Sequence, residues 1–129
     1  VLLEKNKEKL ARIISEDLGK VYYDALGEVR RGIDNVEYAC GIGELLKGEY
    51  NKNISTEVDS WSEFTPLGTV LGITPFNFPA MVPMWMFPLA LATGNSFILK
   101  PSEKDPLGSI FITELFNKTK APKPAEPIA

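Results

Sequence analysis

Residues 69–104 read TVLGITPFNFPAMVPMWMFPLALATGNSFILKPSEK, and this stretch predicts the topology of the chain. Thr69 to Ile73 is a β-branched and aliphatic run, which is typical of a buried strand. Pro79 to Thr93 has the length of a helix and is apolar on most sides, and Gly94-Asn95 is a common type of helix end. Phe97 to Leu99 predicts a second buried strand. The order strand, helix, strand with apolar strands predicts a parallel sheet with a right-handed helical crossover.

Helical patterns precede and follow this unit. Apolar residues recur at helical spacing in three stretches, from Leu2 to Tyr23, from Ala25 to about Leu46 and from Pro106 to Lys118. Gly19 is a candidate break within the first stretch. In the second helix, the residues predicted to face inward are Val29, Ile33, Val36, Tyr38 and Cys40. Its polar face is predicted to carry Glu28, Arg30, Arg31, Asp34 and Glu37.

A loosely alternating stretch from Ile54 to Phe64 separates the helices from the apolar unit and predicts an exposed strand or hairpin. The expected fold class is therefore α/β, with a parallel βαβ sheet preceded by helices. The expected division is a helical region at 1–48, a β-ribbon at 49–64, a βαβα unit at 65–120 and a Pro-rich tail at 121–129.

Composition excludes several classes of chemistry. The chain has one cysteine and no histidine, so it holds neither a serine–histidine nor a cysteine–histidine nucleophile pair, and no zinc-like cluster. Its net charge of −3 does not suit a nucleic-acid partner. The uncharged run from Phe64 to Leu99 raises the alternative of a membrane hairpin. Five prolines divide that run into pieces shorter than a membrane span, which favours a buried βαβ unit.

Asn77 follows the first predicted strand within Thr74-Pro75-Phe76-Asn77-Phe78-Pro79. Ligands bind beyond the carboxyl ends of strands in open α/β sheets. A neutral amide at this place can donate a hydrogen bond to an oxygen that becomes negative during a reaction. The alternative, which the spacing alone favours, is that Asn77 caps the helix that begins near Pro79.

Lys100 and Glu103 occupy the equivalent place after the second strand. An ammonium and a carboxylate three residues apart can bracket the hydroxyls of a ribose. The alternative is an ordinary capping box for the next helix, and the sequence does not decide between the two. Cys40 lies in a helical pattern with no neighbouring base, so we expect a buried structural thiol there.

Two motifs resemble those of the aldehyde dehydrogenase superfamily. Thr65 to Pro79 is similar to the block around the motif P-[WF]-N-[FY]-P of that superfamily. Leu89 to Asn95, followed by Lys100 to Glu103, is similar to its next block. The resemblance covers the chain up to about Lys118, and it implies a Rossmann-like NAD-binding domain with a β-ribbon that takes part in oligomerisation.

Further stretches are most similar to the methylmalonate-semialdehyde dehydrogenases. These are Phe76, Ala80 to Pro88, Arg31 to Ile33, and Val36 to Cys40. Membership of that group would imply a CoA-acylating enzyme, which oxidises methylmalonate or malonate semialdehyde with NAD and transfers the acyl group to coenzyme A. A non-acylating aldehyde dehydrogenase is the alternative.

The resemblance also implies roles for individual residues at the cofactor. Lys100 and Glu103 match the pair that holds the adenosine ribose of NAD. Thr74 and Phe76 match positions that line the cofactor cleft. Lys104 stands where this group usually has arginine, next to the adenosine end.

Two further roles concern the aldehyde. Asn77 matches the amide that stabilises the oxyanion, so it is the expected catalytic residue. Arg31 aligns with an arginine that would bind the carboxylate of the substrate, a task that suits a guanidinium fork.

Other expectations concern the whole protein. The nucleophilic cysteine and the later pyrophosphate-binding turn of the family have no counterpart here, so we expect the chain to be an N-terminal fragment that is inactive alone. The resemblance implies a homotetramer that acts on a small aldehyde. Its expected location is the cytoplasm in a bacterium or the mitochondrial matrix in a eukaryote.

Overall fold

The computed structural model describes residues 1–119, so the tail expected at 121–129 lies outside the described residues. The helices are α1 (Leu2–Leu18), α2 (Tyr22–Cys40), α3 (Met81–Ala92) and α4 (Leu107–Asn117), and a short 3-10 helix spans Ile42–Glu44. The strands are β1 (Tyr50–Ser55), β2 (Val58–Trp61), β3 (Thr69–Ile73) and β4 (Ser96–Lys100). The structure confirms the predicted α/β class.

Gly19 separates the first two helices, which decides between the two possibilities that the sequence leaves open, a break at this residue or a glycine tolerated within the helix. It adopts a left-handed conformation with a φ of 76° and donates its N–H to the Ser15 carbonyl, which ends α1. Glycine reaches this conformation without the steric penalty that a Cβ would bring. The chain then turns back into α2, so that Leu10 and Ile14 of α1 join Val29 of α2 in the buried core.

The β-ribbon consists of β1 and β2 alone. The two strands pair antiparallel, with Tyr50 opposite Trp61 and Ser55 opposite Val58. Every residue of β1 is exposed, and large apolar side chains such as Ile54 and Trp61 face solvent. An exposed hairpin is therefore confirmed, but it spans residues 50–61 rather than the stretch from Ile54 to Phe64.

The βαβ unit has the predicted parallel topology. β3 pairs with β4 in register from Thr69 opposite Ser96 to Ile73 opposite Lys100, and α3 forms the crossover between them. Gly72 allows the helix layer to lie close to the sheet. A Cβ at this position would lie 2.3 Å from the ring of Phe97 and 3.1 Å from the sulfur of Met86.

The core lies among the four helices rather than on both sides of the sheet. Residues from every helix contribute to it, including Ile14, Val29, Met84 and Phe111. The expectation of fully buried strands is wrong for the described residues. Only one face of β3 and β4 is covered, and the other leaves Leu71, Ile73 and Ile98 exposed, each by more than half.

Helix α2 differs from its prediction in three respects. It ends at Cys40 rather than near Leu46. Tyr38 and Cys40, which were expected to face inward, are exposed, because Ala39 takes the buried position in the last turn. Glu28, which was expected on the polar face, is fully buried. The Cys40 thiol is therefore not the buried structural group that the sequence predicts.

Candidate active site

The carboxyl ends of β3 and β4 lie side by side. Beyond the last paired residues of the sheet, the N–H of Thr74 donates a hydrogen bond to the carbonyl of Lys100 over 3.1 Å. This bond joins the two loops that the sequence singles out, 74–79 after β3 and 101–106 after β4. All the predicted cofactor residues thus lie in or next to two adjacent loops at one edge of the sheet.

Lys100 and Glu103 form an ion pair at this edge. The ammonium donates to the Glu103 carboxylate over 3.3 Å, and both side chains are more than half exposed. The backbone N–H of Glu103 and the Lys100 ammonium hold the pKa of the Glu103 carboxyl below its usual range. The carboxylate therefore stays ionised near neutral pH and can accept further hydrogen bonds from a ligand.

These residues do not form the alternative capping box. Helix α4 begins at Leu107, its N-cap Pro106 makes no side-chain hydrogen bond, and the N–H of Leu107 is satisfied by the carboxylate of Asp17 on α1 at 3.1 Å. Ser102 instead accepts a hydrogen bond from the N–H of Lys104 at 3.1 Å within its own loop. Glu103 is thus free of a structural role at the helix terminus.

Phe76 and Lys104 connect the two loops. The Lys104 ammonium lies over the Phe76 ring, 4.6 Å from its centroid. This is within the range of a favourable cation–π contact. Phe76 is 44% exposed, so part of the ring remains open to a ligand at the same edge.

Asn77 does not cap the helix that follows it. Helix α3 begins at Met81, and its N-cap residue is Ala80. The side-chain amide of Asn77 is exposed and makes no hydrogen bond to another residue of 1–119. The capping interpretation of Asn77 is therefore wrong, and its amide is available to a ligand.

The first turn of α3 is satisfied instead by Glu28 of α2. One oxygen of its buried carboxylate accepts from the N–H groups of Ala80 at 3.1 Å and Met81 at 3.3 Å. The other oxygen forms an ion pair with Lys20. The Lys20 ammonium also donates to the carbonyl of Asn77 over 2.9 Å. Sequence reasoning missed this network because it placed Glu28 at the surface.

Arg31 lies near the ring of Phe78. Its guanidinium carbon is 5.8 Å from the centroid of the Phe78 ring, and the Lys20 ammonium is 4.0 Å from the same centroid. An open cavity of about 310 Å³ is lined by Lys20, Tyr23, Asp24, Gly27, Arg31 and Phe78. The structure therefore places Arg31 beside a small cavity that adjoins the Asn77 loop.

The family model that describes the aldehyde dehydrogenase family matches residues 1–125 of the chain. The chain belongs to the aldehyde dehydrogenase family. It is 58% identical over 122 residues to a malonate-semialdehyde dehydrogenase of Pseudomonas aeruginosa. The matched residues are 95% of this chain and 24% of that relative. It is 50% identical to a methylmalonate-semialdehyde/malonate-semialdehyde dehydrogenase of Dictyostelium discoideum, described as probable, acylating and mitochondrial, with 94% of the chain and 23% of the relative covered.

A solved structure with NAD bound is also similar. It is a Sinorhizobium meliloti protein assigned as a methylmalonate-semialdehyde dehydrogenase, with a TM-score of 0.91 and 45% identity, covering 94% of this chain and 25% of that one. This aldehyde dehydrogenase chain thus spans about a quarter of the length of the relatives that it matches. No helix within residues 1–119 is long and apolar enough to cross a membrane.

Two buried polar side chains near the loops of this aldehyde dehydrogenase chain lack partners among residues 1–119. The Thr74 hydroxyl is one, and the Asp105 carboxyl is the other. Burial, together with the negative charges of Asp17 and Glu28, raises the pKa of Asp105 to about 6 against the lowering effect of Lys20. The Thr74 hydroxyl contacts neither bulk water nor a hydrogen-bond partner among residues 1–119, although it follows the strand that leads to the candidate site.

Proposed function

We propose that this chain is the cofactor-binding part of a dehydrogenase that oxidises malonate or methylmalonate semialdehyde to an acyl-CoA. The observation that carries the proposal is the adjacency of the Asn77 loop to the Lys100–Glu103 pair at one edge of a parallel sheet. The matches to malonate- and methylmalonate-semialdehyde dehydrogenases support this substrate class. The products would be NADH, CO₂ from the substrate carboxylate, and acetyl-CoA from malonate semialdehyde or propionyl-CoA from methylmalonate semialdehyde.

The residues at this edge fit NAD. The exposed Glu103 carboxylate and Lys100 ammonium offer an acceptor and a donor for the two hydroxyls of a ribose. The Phe76 ring and the Lys104 ammonium offer an apolar face and a positive charge beside them, and the buried Thr74 hydroxyl would lie under the bound cofactor. NAD, when bound, would supply the hydride acceptor.

In the complete enzyme, Asn77 would be the catalytic amide. Its free N–H groups would donate to the oxygen of the aldehyde as that oxygen becomes negative, which is where a preorganised donor lowers the barrier most. Arg31 would bind the carboxylate of the semialdehyde, at the end opposite its aldehyde group, in the cavity that Arg31 and Phe78 line. These two positions would hold the two ends of one small substrate.

The nucleophile of the proposed reaction is a cysteine outside this chain. Cys40 follows Glu28 by twelve residues on α2, which is about 18 Å along the helix axis at 1.5 Å per residue. Since Glu28 contacts the start of α3, the Cys40 thiol lies at the opposite end of α2 from the Asn77 loop. We therefore propose that residues 1–129 alone do not oxidise aldehydes.

The division of the chain follows the same proposal. Residues 65–120 would form the first βαβα unit of the NAD-binding domain, residues 1–48 its helical support and residues 49–64 an oligomerisation ribbon. The exposed Ile54, Val58 and Trp61 of the ribbon suit burial between subunits of a homotetramer.

The location would be the cytoplasm in a bacterium and the mitochondrial matrix in a eukaryote, and two eukaryotic relatives are described as mitochondrial.

An assay with and without CoA tests the acylating activity. The complete enzyme is incubated with NAD and malonate semialdehyde, and both NADH and the acyl product are measured. We expect steady turnover only when CoA is present, with one acyl-CoA formed per NADH. Equal turnover without CoA, with release of the free acid, would assign the chain to a non-acylating aldehyde dehydrogenase.

A further inference from the structure

Lys20 is a partly buried lysine that makes three contacts at the start of α3. Its side chain is 16% exposed, and it follows the left-handed Gly19 that ends α1. The ammonium pairs with Glu28, donates to the Asn77 carbonyl and lies over the Phe78 ring. The Lys20 ammonium thus links Glu28 of α2 to Asn77 and Phe78, the two residues that precede Pro79.

Glu28 holds the other side of the same segment. Its side chain is fully buried, and its carboxylate divides its two oxygens between Lys20 and the N–H groups of Ala80 and Met81. The pair therefore fixes the chain at the carbonyl of Asn77 and again three residues later. The backbone from Asn77 to Ala80 is held at both ends by groups from outside its own loop.

This arrangement fixes where the Asn77 side chain leaves the backbone. The amide has no hydrogen bond of its own among residues 1–119, so the backbone that carries it sets the direction of the Cα–Cβ bond and hence the region that the amide can reach. A hydrogen bond to the Asn77 carbonyl fixes the peptide plane next to its Cα. Stability alone does not require this bond, because a buried ion pair is often replaceable by neutral side chains at little cost.

We propose that Lys20 and Glu28 are positioning residues, which hold the backbone of Asn77 so that its amide meets the oxyanion. The inference rests on the catalytic role proposed for Asn77. Misplacement of a catalytic group by about 1 Å can lower a rate by about 10²-fold. The pair would therefore lower the acylation rate more than the affinity for NAD. The ribose residues Lys100 and Glu103 lie at the end of β4 and in the loop after it, and neither Lys20 nor Glu28 hydrogen-bonds to them.

The test compares Glu28→Gln with Lys20→Met/Glu28→Gln in the complete enzyme. The glutamine keeps an acceptor for the two N–H groups of α3, and the methionine then removes the ammonium without leaving a buried charge unpaired. We expect the added Lys20→Met to lower the acylation rate constant at least tenfold, with the KM for NAD changed less than twofold. Lys47→Met, in an exposed ion pair with Glu44, is the matched control and should change neither value.

The same comparison in an Asn77→Ala background shows whether Lys20 acts through Asn77. If it does, adding Lys20→Met there lowers the rate less than twofold. A full tenfold loss in that background overturns the positioning role and leaves the role of Asn77 intact. A normal rate for Asn77→Ala alone overturns the proposed catalytic role and this inference with it.

Loss of NAD affinity in proportion to the rate would show a general structural effect and would also overturn the inference. If the double variant does not fold, Lys20→Arg replaces it. This change keeps a charge beside Glu28, but a longer planar head cannot place a donor at the same point on the Asn77 carbonyl. We then expect the same selective fall in rate, and an unchanged rate overturns the proposal.

Discussion

The carboxylate of Glu28 on α2 accepts a hydrogen bond from the backbone N–H of Ala80, 52 residues later in the chain. The first N–H groups of a helix have no partner within the helix, and a nearby side chain usually supplies one. Here the partner comes from another helix. The start of α3, and the loop before it, are therefore tied to α2 rather than capped locally.

Glu28→Ala should destabilise the protein strongly. The change leaves Lys20 partly buried without its partner and leaves two N–H groups of α3 unsatisfied, and breaking such a pair typically costs about 3–5 kcal/mol. Glu28→Gln keeps an acceptor and should cost less. Thermal unfolding of both variants measures the difference, and equal melting temperatures for the two would contradict the capping role.

Gly32→Ala and Gly27→Ala should have opposite effects, although both glycines lie in α2. A Cβ on Gly32 would lie 2.3 Å from the terminal methyl carbon of Met84 and 3.2 Å from its Cβ, so the buried Met84 side chain would have to move and α3 to shift by a few tenths of an ångström. Overpacking of this kind costs about 1–3 kcal/mol. A Cβ on Gly27 meets nothing within 4 Å, and alanine is favoured over glycine in helices by up to about 1 kcal/mol. Chemical denaturation of both variants measures the two effects, and a loss of stability in Gly27→Ala would contradict this packing.

Asp105 should make stability depend on pH between about 4 and 6. The folded state raises the pKa of this carboxyl to about 6, from the ordinary 3.8. The folded state therefore holds the proton more tightly, and this contribution is fully present below pH 4 and is lost as pH rises through 6. Asp105→Asn removes the effect, so it should raise the melting temperature at pH 7.5, by at least about 2 °C, but not at pH 4. An identical shift at both values would refute this assignment.

Glu103→Gln should weaken NAD binding. The neutral amide offers a poorer acceptor to the ribose than the ionised carboxylate, and a hydrogen bond to a charged group is worth about 1.5–3 kcal/mol. We therefore expect the KM for NAD to rise about tenfold or more. Glu44→Gln is the control, since Glu44 also forms an exposed ion pair with a lysine three residues away. Similar NAD affinities in both variants would exclude Glu103 as the ribose residue.

The topology of the chain could be predicted because its signals are local. The aliphatic run at Thr69–Ile73, the helix length of the segment that follows and the apolar run before Lys100 each predict an element without reference to the rest of the chain. Gly19 likewise ends a helix through its own conformation. The parallel pairing of β3 and β4 follows from the order of these elements.

The support for Asn77 could not be predicted in this way. Whether Glu28 faces inward depends on Lys20 and on the amides of residues 80 and 81, which are distant in sequence. A signal existed, since Glu28 lies three residues after the buried Ala25 and four before the buried Gly32, on one helical face. The charge of Glu28 favours the surface in a sequence-based prediction, and the spacing of Asn77 before Pro79 separately favours Asn77 as the cap.

The extent to which the strands are buried also could not be predicted from the sequence. An apolar strand predicts a sheet covered on both faces, but α3 covers only one face of β3 and β4 among residues 1–119. The apolar composition of a strand predicts that both of its faces are suited to burial. It does not predict which segment of the protein covers each face.

Asn77→Ala in the complete enzyme tests the central claim most directly. The acylation step is measured in a single turnover with NAD and malonate semialdehyde, and NAD binding is measured separately. Because one oxyanion donor usually accounts for about 10²–10³ in rate, we predict a fall of that size with NAD affinity unchanged. A fall of less than about tenfold would contradict the role of Asn77, and with it this account of the site.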